Sequence, residues 1–242
     1  MIEQQVVLLV YFLLVISPPL VLATIFVKLD MFQEPLNKLL ITFFLAFAAT
    51  SIMVEIKYGL LVIPEDIESR HFINSLFFIA LPEELTKFLV LFIYCSRLKE
   101  FNEPMDGLVY GSIAGLGFAV NEAFYYSSVY QDYYKETSEV IYSILERGLL
   151  AVPGHAFDGI IMGAFLGIAL FRKVNKTFFI IVGVLISIAF HTLWDWILFE
   201  EAIPGGLVYI VFLVQFVTVF SLFRYFRKLQ RDKIIEFELR NE

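Results

Sequence analysis

Residues 72–96 read FINSLFFIALPEELTKFLVLFIYCS, a predominantly apolar run with Pro82-Glu83-Glu84-Leu85-Thr86-Lys87 at its centre. About 20 apolar residues cross the ~30 Å hydrocarbon core of a bilayer as a helix, so this stretch predicts a transmembrane span. The three charges in its middle are the anomaly. An ionisable side chain at helix centre costs about 2.5–3.5 kcal/mol on insertion scales, so Glu83, Glu84 and Lys87 need a polar interior to face. The fold expected is therefore all-α, a polytopic helical bundle built around such an interior.

The rest of the chain agrees with that reading. Of 242 residues, 59% are hydrophobic, 17% aromatic and 18% charged, with a mean hydropathy of +0.77. That composition excludes an ordinary soluble globule and a disordered chain. The net charge of −7 leaves no basic field for a phosphate backbone, which excludes nucleic-acid binding. The one cysteine, Cys95, has no partner for an internal disulfide or a thiolate metal cluster and reads as a small apolar residue.

The same 20-residue ruler predicts seven spans, at about 5–27, 37–57, 72–96, 106–127, 147–171, 177–199 and 206–223, forming one transmembrane domain over 1–242 with a basic tail at 224–242. The first is expected to be retained rather than cleaved, since Glu3 precedes it and no small-residue cleavage site follows; Ser17-Pro18-Pro19 is expected to kink it. Thirteen of the eighteen Lys and Arg fall on one side of these spans. They are Lys28 and Lys38, Arg97 and Lys99, Arg172, Lys173 and Lys176, and six from Arg224 to Arg240. The other side holds Lys57, Arg70, Lys135 and Arg147, beside acidic loops at Glu65, Asp66 and Glu68, at Asp132, Glu136 and Glu139, and at Glu200 and Glu201. By the positive-inside rule, the N-terminus is expected outside and the C-terminus in the cytoplasm.

Other ionisable residues fall inside the spans: Glu122 in the fourth, His155 and Asp158 in the fifth, His191 and Asp195 in the sixth. Given the expected topology, all lie between midplane and outer surface, where an outward-opening aqueous cleft would reach them. Gly107, Gly111 and Gly115 recur every four residues and lead to Phe118 and Glu122; His155 begins a stripe continued by Gly159, Gly163 and Gly167. Small residues at that spacing let helix backbones approach closely, and antiparallel packing of the two stripes predicts that Glu122 meets His155. Pro82 and Pro153 each precede polar residues, predicting interruptions there, with Glu83 and Glu84 in a first turn where the helix dipole favours carboxylates. Lys87 lies within pairing reach of both. His191 with Asp195, and His155 with Asp158, are spaced for a carboxylate to fix a histidine tautomer.

Taken in order, Pro82-Glu83-Glu84-Leu85-Thr86-Lys87, Asp106 to Gly111 running into Gly117-Phe118-Ala119-Val120-Asn121-Glu122, His155 with Gly159 and Gly163, and His191-Thr192-Leu193-Trp194-Asp195 resemble the motifs of the PrsW family of intramembrane proteases. Asp30 with Glu34-Pro35 resembles that family's short Asp and Glu-Pro signature, so the likeness covers about residues 25–200. Glu122 stands where the related CAAX-type prenyl proteases carry histidine, and Asp195 where they carry asparagine. The family's asparagine after the glutamate is replaced by Ala123, with Asn121 on the other side.

The resemblance implies hydrolysis of a peptide bond in a single-span membrane protein within the bilayer, with site-1 cleavage of an anti-sigma factor in a stress response as the family's role. It implies catalytic positions at Glu83, Glu84, Glu122, His155 and His191, with Lys87, Asp158 and Asp195 in support. Glu83 or Glu84 would activate a water as general base, with the two histidines orienting it or stabilising the oxyanion. Two histidines and a glutamate (Glu84, His155, His191) are also a donor set for zinc, although no His-Glu-x-x-His motif is present; water activated by glutamate alone is the other possibility. A non-catalytic scaffold and a proton-coupled transporter would bury the same residue types.

Overall fold

The computed structural model describes residues 2–60 and 70–239 and the side chains of 9–57 and 70–235. The expected acidic loop at Glu65, Asp66 and Glu68 lies outside the described residues. Among them the chain is helical throughout, with no strand: α1 (Ile2–Leu29), α2 (Leu36–Leu60), α3 (His71–Ile73, a π-helical Asn74–Ala80, then Leu81–Ile93), α4 (Pro104–Tyr133), α5 (Thr137–Leu149), α6 (Ala151–Phe171), α7 (Lys176–Phe199) and α8 (Leu207–Leu239).

At the centre, α4 and α6 run antiparallel in the closest packing of the molecule. Every residue of α4 from Met105 to Val120 is buried. The two glycine stripes are the seam. A methyl group added to Gly107, Gly111 or Gly115 would overlap the carbonyl oxygen of Gly163, Gly159 or His155 respectively, and Gly167 faces the Pro104 carbonyl in the same way. Around this pair, α2 packs on α4 and α3, α7 on α6 and the π segment, and α8 on α6 and α7, with α1 against α4 to α6. Outward-facing Leu9, Phe12, Leu20, Phe44, Ile210 and Phe220 are exposed, the surface a lipid-facing helix presents.

Among the described residues, five stretches are long and apolar enough to cross a membrane: Leu9–Leu29, Leu36–Lys57, Thr137–Phe171, Lys176–Phe199 and Leu207–Ile235. The third and fourth expected spans form helices but fall outside this set. The third is divided by its π segment and carries three charges, and α4 exchanges apolar side chains for glycine and acids along its length.

Three expectations are corrected. The interruption expected at Pro153 comes three residues earlier, at Leu150 (φ −120°, ψ −58°), so residues 147–149 of the expected fifth span end α5 and the rest forms α6; Pro153 has no N–H and its ring clashes with the carbonyl four residues back. At Pro82 there is no break. The helix loosens upstream into a π segment, where Leu81 N–H bonds to Leu76 O five residues back, and Glu83 and Glu84 occupy the first α turn after it. The basic tail from residue 224 is no separate segment, since α8 runs through it to Leu239. There Gln230 donates to Asp30 Oδ1 at 2.6 Å and to Glu103, and accepts from Met31 N, while Lys233 pairs with Glu103 at 3.6 Å. Tyr110 donates to Glu34 at 2.6 Å, whose carboxyl is pushed above its ordinary value by burial. Asn121 ties α4 to α2 through Phe47 O and Ser51 Oγ. Cys95 is fully buried beside Thr42 Oγ1.

Because the seam is backbone against backbone, Gly111→Ala and Gly163→Ala are each expected to destabilise the bundle by about 3 kcal/mol. Thermal melting of the detergent-solubilised chain measures this, and a melting point within a degree of wild type would contradict the seam.

Candidate active site

Seven helices deliver side chains to one cleft of about 340 Å³ at the end of the bundle where α2, α4 and α7 finish and α6 begins. Glu83, Glu122, His155, Asp158, His191 and Asp195 all line it, together with Lys57, Arg147 and Gln215. The seam sets its register: His155 is the residue whose backbone abuts Gly115, and two turns beyond Gly115 along α4 stands Glu122. Their side chains meet at 2.6 Å, His155 Nε2 to Glu122 Oε2.

Adjacent residues in a helix point about 100° apart, and the two glutamates separate accordingly. Glu83 faces the cleft, 4.0 Å from Lys57 Nζ on α2. Glu84, with no exposed surface, turns inward and accepts from Lys87 Nζ at 2.6 Å and from His191 Nδ1 at 2.6 Å. Lys87, equally buried, reaches His155 Nδ1 at 3.0 Å and lies 4.5 Å from the centroid of the Phe118 ring. An ammonium only donates, so His155 Nδ1 accepts and its proton resides on Nε2, directed at Glu122. A carboxylate only accepts, so His191 donates from Nδ1 and turns its Nε2 toward Asp195 Oδ2 at 3.3 Å and Glu83 Oε2 at 3.7 Å.

One of the two pairings expected from spacing is present and one is corrected. Asp195 pairs with His191 Nε2, and Glu84, from another helix, holds Nδ1 as well. Asp158 is no partner of His155; it accepts from Gln215 of α8 at 2.6 Å, because both ring nitrogens of His155 are taken by Lys87 and Glu122. Three participants escaped sequence reasoning. Arg147 bonds to the same Glu122 oxygen as His155 and stacks 3.9 Å over Tyr126; Lys57 neutralises Glu83; Gln215 holds Asp158. Lys57 and Arg147 carried a signal, being two of the four cations on the cation-poor side and each at the edge of an apolar span.

The fold and site define a multi-pass membrane protein with a glutamate and histidine centre buried among its helices. Residues 34–222 match the model of the PrsW family intramembrane metalloproteases, and the chain belongs to that family of membrane-embedded peptidases. Protease PrsW of Geobacillus kaustophilus is 28% identical over 187 residues, 77% of this chain and 78% of its own. The Oceanobacillus iheyensis protein of that name is 30% identical over 76% of this chain and 80% of its own, and the Bacillus subtilis one 28% identical over 86% and 90%. No solved structure matches the chain.

The family's metal can be tested against the donors present. Ligand atoms of Glu84, His155, Asp158 and His191 lie within 4.8 Å of one another, as do those of Glu83, Glu122 and His155. Glu83 Oε2, Glu84 Oε2 and Asp195 Oδ2 are buried without a hydrogen-bond partner among the described residues. Imidazoles and surplus buried acceptors are the chemistry a divalent cation requires, so the residues fit.

Lys87 is the cation within hydrogen-bonding distance of Glu84 among the described residues. Lys87→Met is expected to cost about 3–5 kcal/mol by leaving a buried carboxylate uncompensated, and Glu84→Gln a similar amount. The double variant should recover most of the loss, and a thermal-unfolding double-mutant cycle reads the coupling.

Proposed function

We propose that the chain hydrolyses a peptide bond of a single-span, membrane-anchored protein near the outer face of the membrane, with its own C-terminus in the cytoplasm. The observation that carries the reading is that Glu83 lines the cleft together with His155 and His191, while Glu84 is sealed behind them. Glu83 is thus the general base that takes the proton of the attacking water, its carboxylate balanced by Lys57. Glu84 holds His191, so that imidazole keeps its orientation while its Nε2 edge steadies the water, and Lys87 and Glu122 fix His155 between them at the wall of the cleft. Glu122, gripped by Arg147, accepts the His155 proton; Asp195 and Asp158 support. A divalent metal such as zinc would be held by Glu84, His155 and His191, whose ligand atoms converge together with that of Asp158. When bound it supplies Lewis-acid polarisation and lowers the pKa of a bound water.

The side assignment rests on charge. The cleft lies at the cation-poor end of the helices, and two of the four cations there, Lys57 and Arg147, are engaged with site glutamates. The positive-inside rule makes that end external. The substrate class that suits this is an anti-sigma-factor-like protein, cleaved at its outer side to start a stress response.

The test compares new protein N-termini in membranes of cells carrying the wild-type chain or Glu83→Gln at equal expression. Termini near the outer face of single-span proteins should appear with wild type and fall at least about 10²-fold in the variant. Identical profiles from two folded proteins would instead support a scaffold or a proton-coupled transporter. Elemental analysis of the purified chain should find one divalent metal, lost in His191→Ala. A metal-free wild type that still cleaves leaves the water activated by glutamate alone.

A further inference from the structure

One face of α6 is turned to the cleft. Ala151, Gly154, His155 and Asp158 all line it, at the i, i+3, i+4, i+7 spacing of a single helical stripe. The approach to His155 along this stripe is therefore almost bare of side chain.

Gly154 differs from the glycines of the seam. At those positions a methyl group would collide with a facing carbonyl, which accounts for glycine. At Gly154 an added Cβ meets nothing within 4 Å. Its φ is not positive, and it sits inside a helix, where glycine is less favourable than alanine. Neither packing nor backbone conformation calls for glycine here. The space left open belongs to the cleft, one residue before His155, and apolar walls face it from Met53 and Val54 of α2 and Phe190, Trp194 and Leu198 of α7.

We propose that Gly154 is a specificity-determining residue, the floor on which the substrate backbone lies as an extended segment while its scissile bond comes beside His155. Glycine suits a place where another backbone approaches closely, and the apolar walls select a peptide with small or apolar residues flanking the cut. This inference rests on the peptidase reading of the cleft.

The experiment uses the full-length chain carrying Gly154→Ala or Gly154→Leu, with two readouts: melting temperature in detergent, and the wild-type-dependent new N-termini in membranes. Alanine is the better helix former, so Gly154→Ala should melt at or above wild type. Its cleavage should nonetheless fall about tenfold, and that of Gly154→Leu about 10²-fold, the scale of a small misplacement of the reacting groups. The cuts that persist in Gly154→Ala should move to bonds flanked by glycine or alanine. Wild-type termini at wild-type yield in both variants would overturn the proposal, as would losses no larger than the loss of folded protein. If wild type itself generates no termini, the peptidase reading falls and this inference with it; termini from wild type that persist in Gly154→Leu defeat the inference alone.

Discussion

Contact between two helix backbones is the constraint on which the rest of this structure depends. In a bilayer the apolar surfaces of helices gain little by leaving lipid for one another, so association relies on packing and on polar contacts. Here α4 and α6 obtain both from one device. Their glycines remove the side chains that would hold the axes apart, and the register so imposed brings the polar group at the end of one stripe against the histidine heading the other. The remaining helices close around that pair, and the cleft opens where the stripes run out beside His155 and Glu122.

Charge balance follows the same logic of assembly. Each of the three site glutamates has a cation of its own: Glu83 with Lys57 from α2, Glu84 with Lys87 one turn on in α3, Glu122 with Arg147 from α5. Buried ions are tolerable only when paired and hydrogen-bonded, and here the pairing also fixes geometry. Lys87 is the hub, since one ammonium orients Glu84 and His155 and, through Glu84, His191. A single proton donor thereby sets the facing of both imidazoles.

Much of this was legible in the sequence because the informative signals are periodic. Glycine every fourth residue predicted the seam, its antiparallel sense and the Glu122–His155 contact. What spacing did not convey was the choice among partners at similar reach. Asp158 stands at i+3 from His155 yet pairs with Gln215, and His191 gains Glu84 beside its expected Asp195, because tertiary packing brings further acceptors and donors from other helices. Nor did it separate Glu83 from Glu84; which one faces the cleft depends on the rotation of α3. Arg147 and Lys57 look like ordinary loop cations until the helix ends that carry them are set beside the glutamates.

That rotation is governed by the π stretch at Asn74–Ala80. A π segment accommodates an extra residue within a helix, and each residue turns an α-helix by about 100°. The facing of the two glutamates is therefore a matter of counting along the chain. Shortening the stretch by one residue would leave the glutamate pair and its Lys87 intact. It would nonetheless swing Glu83 away from the cleft and draw Lys87 off His155. Among homologous sequences, a gap of one residue upstream of the double glutamate is thus worth more attention than most substitutions, for it would separate chains that keep the motif from chains that keep the site.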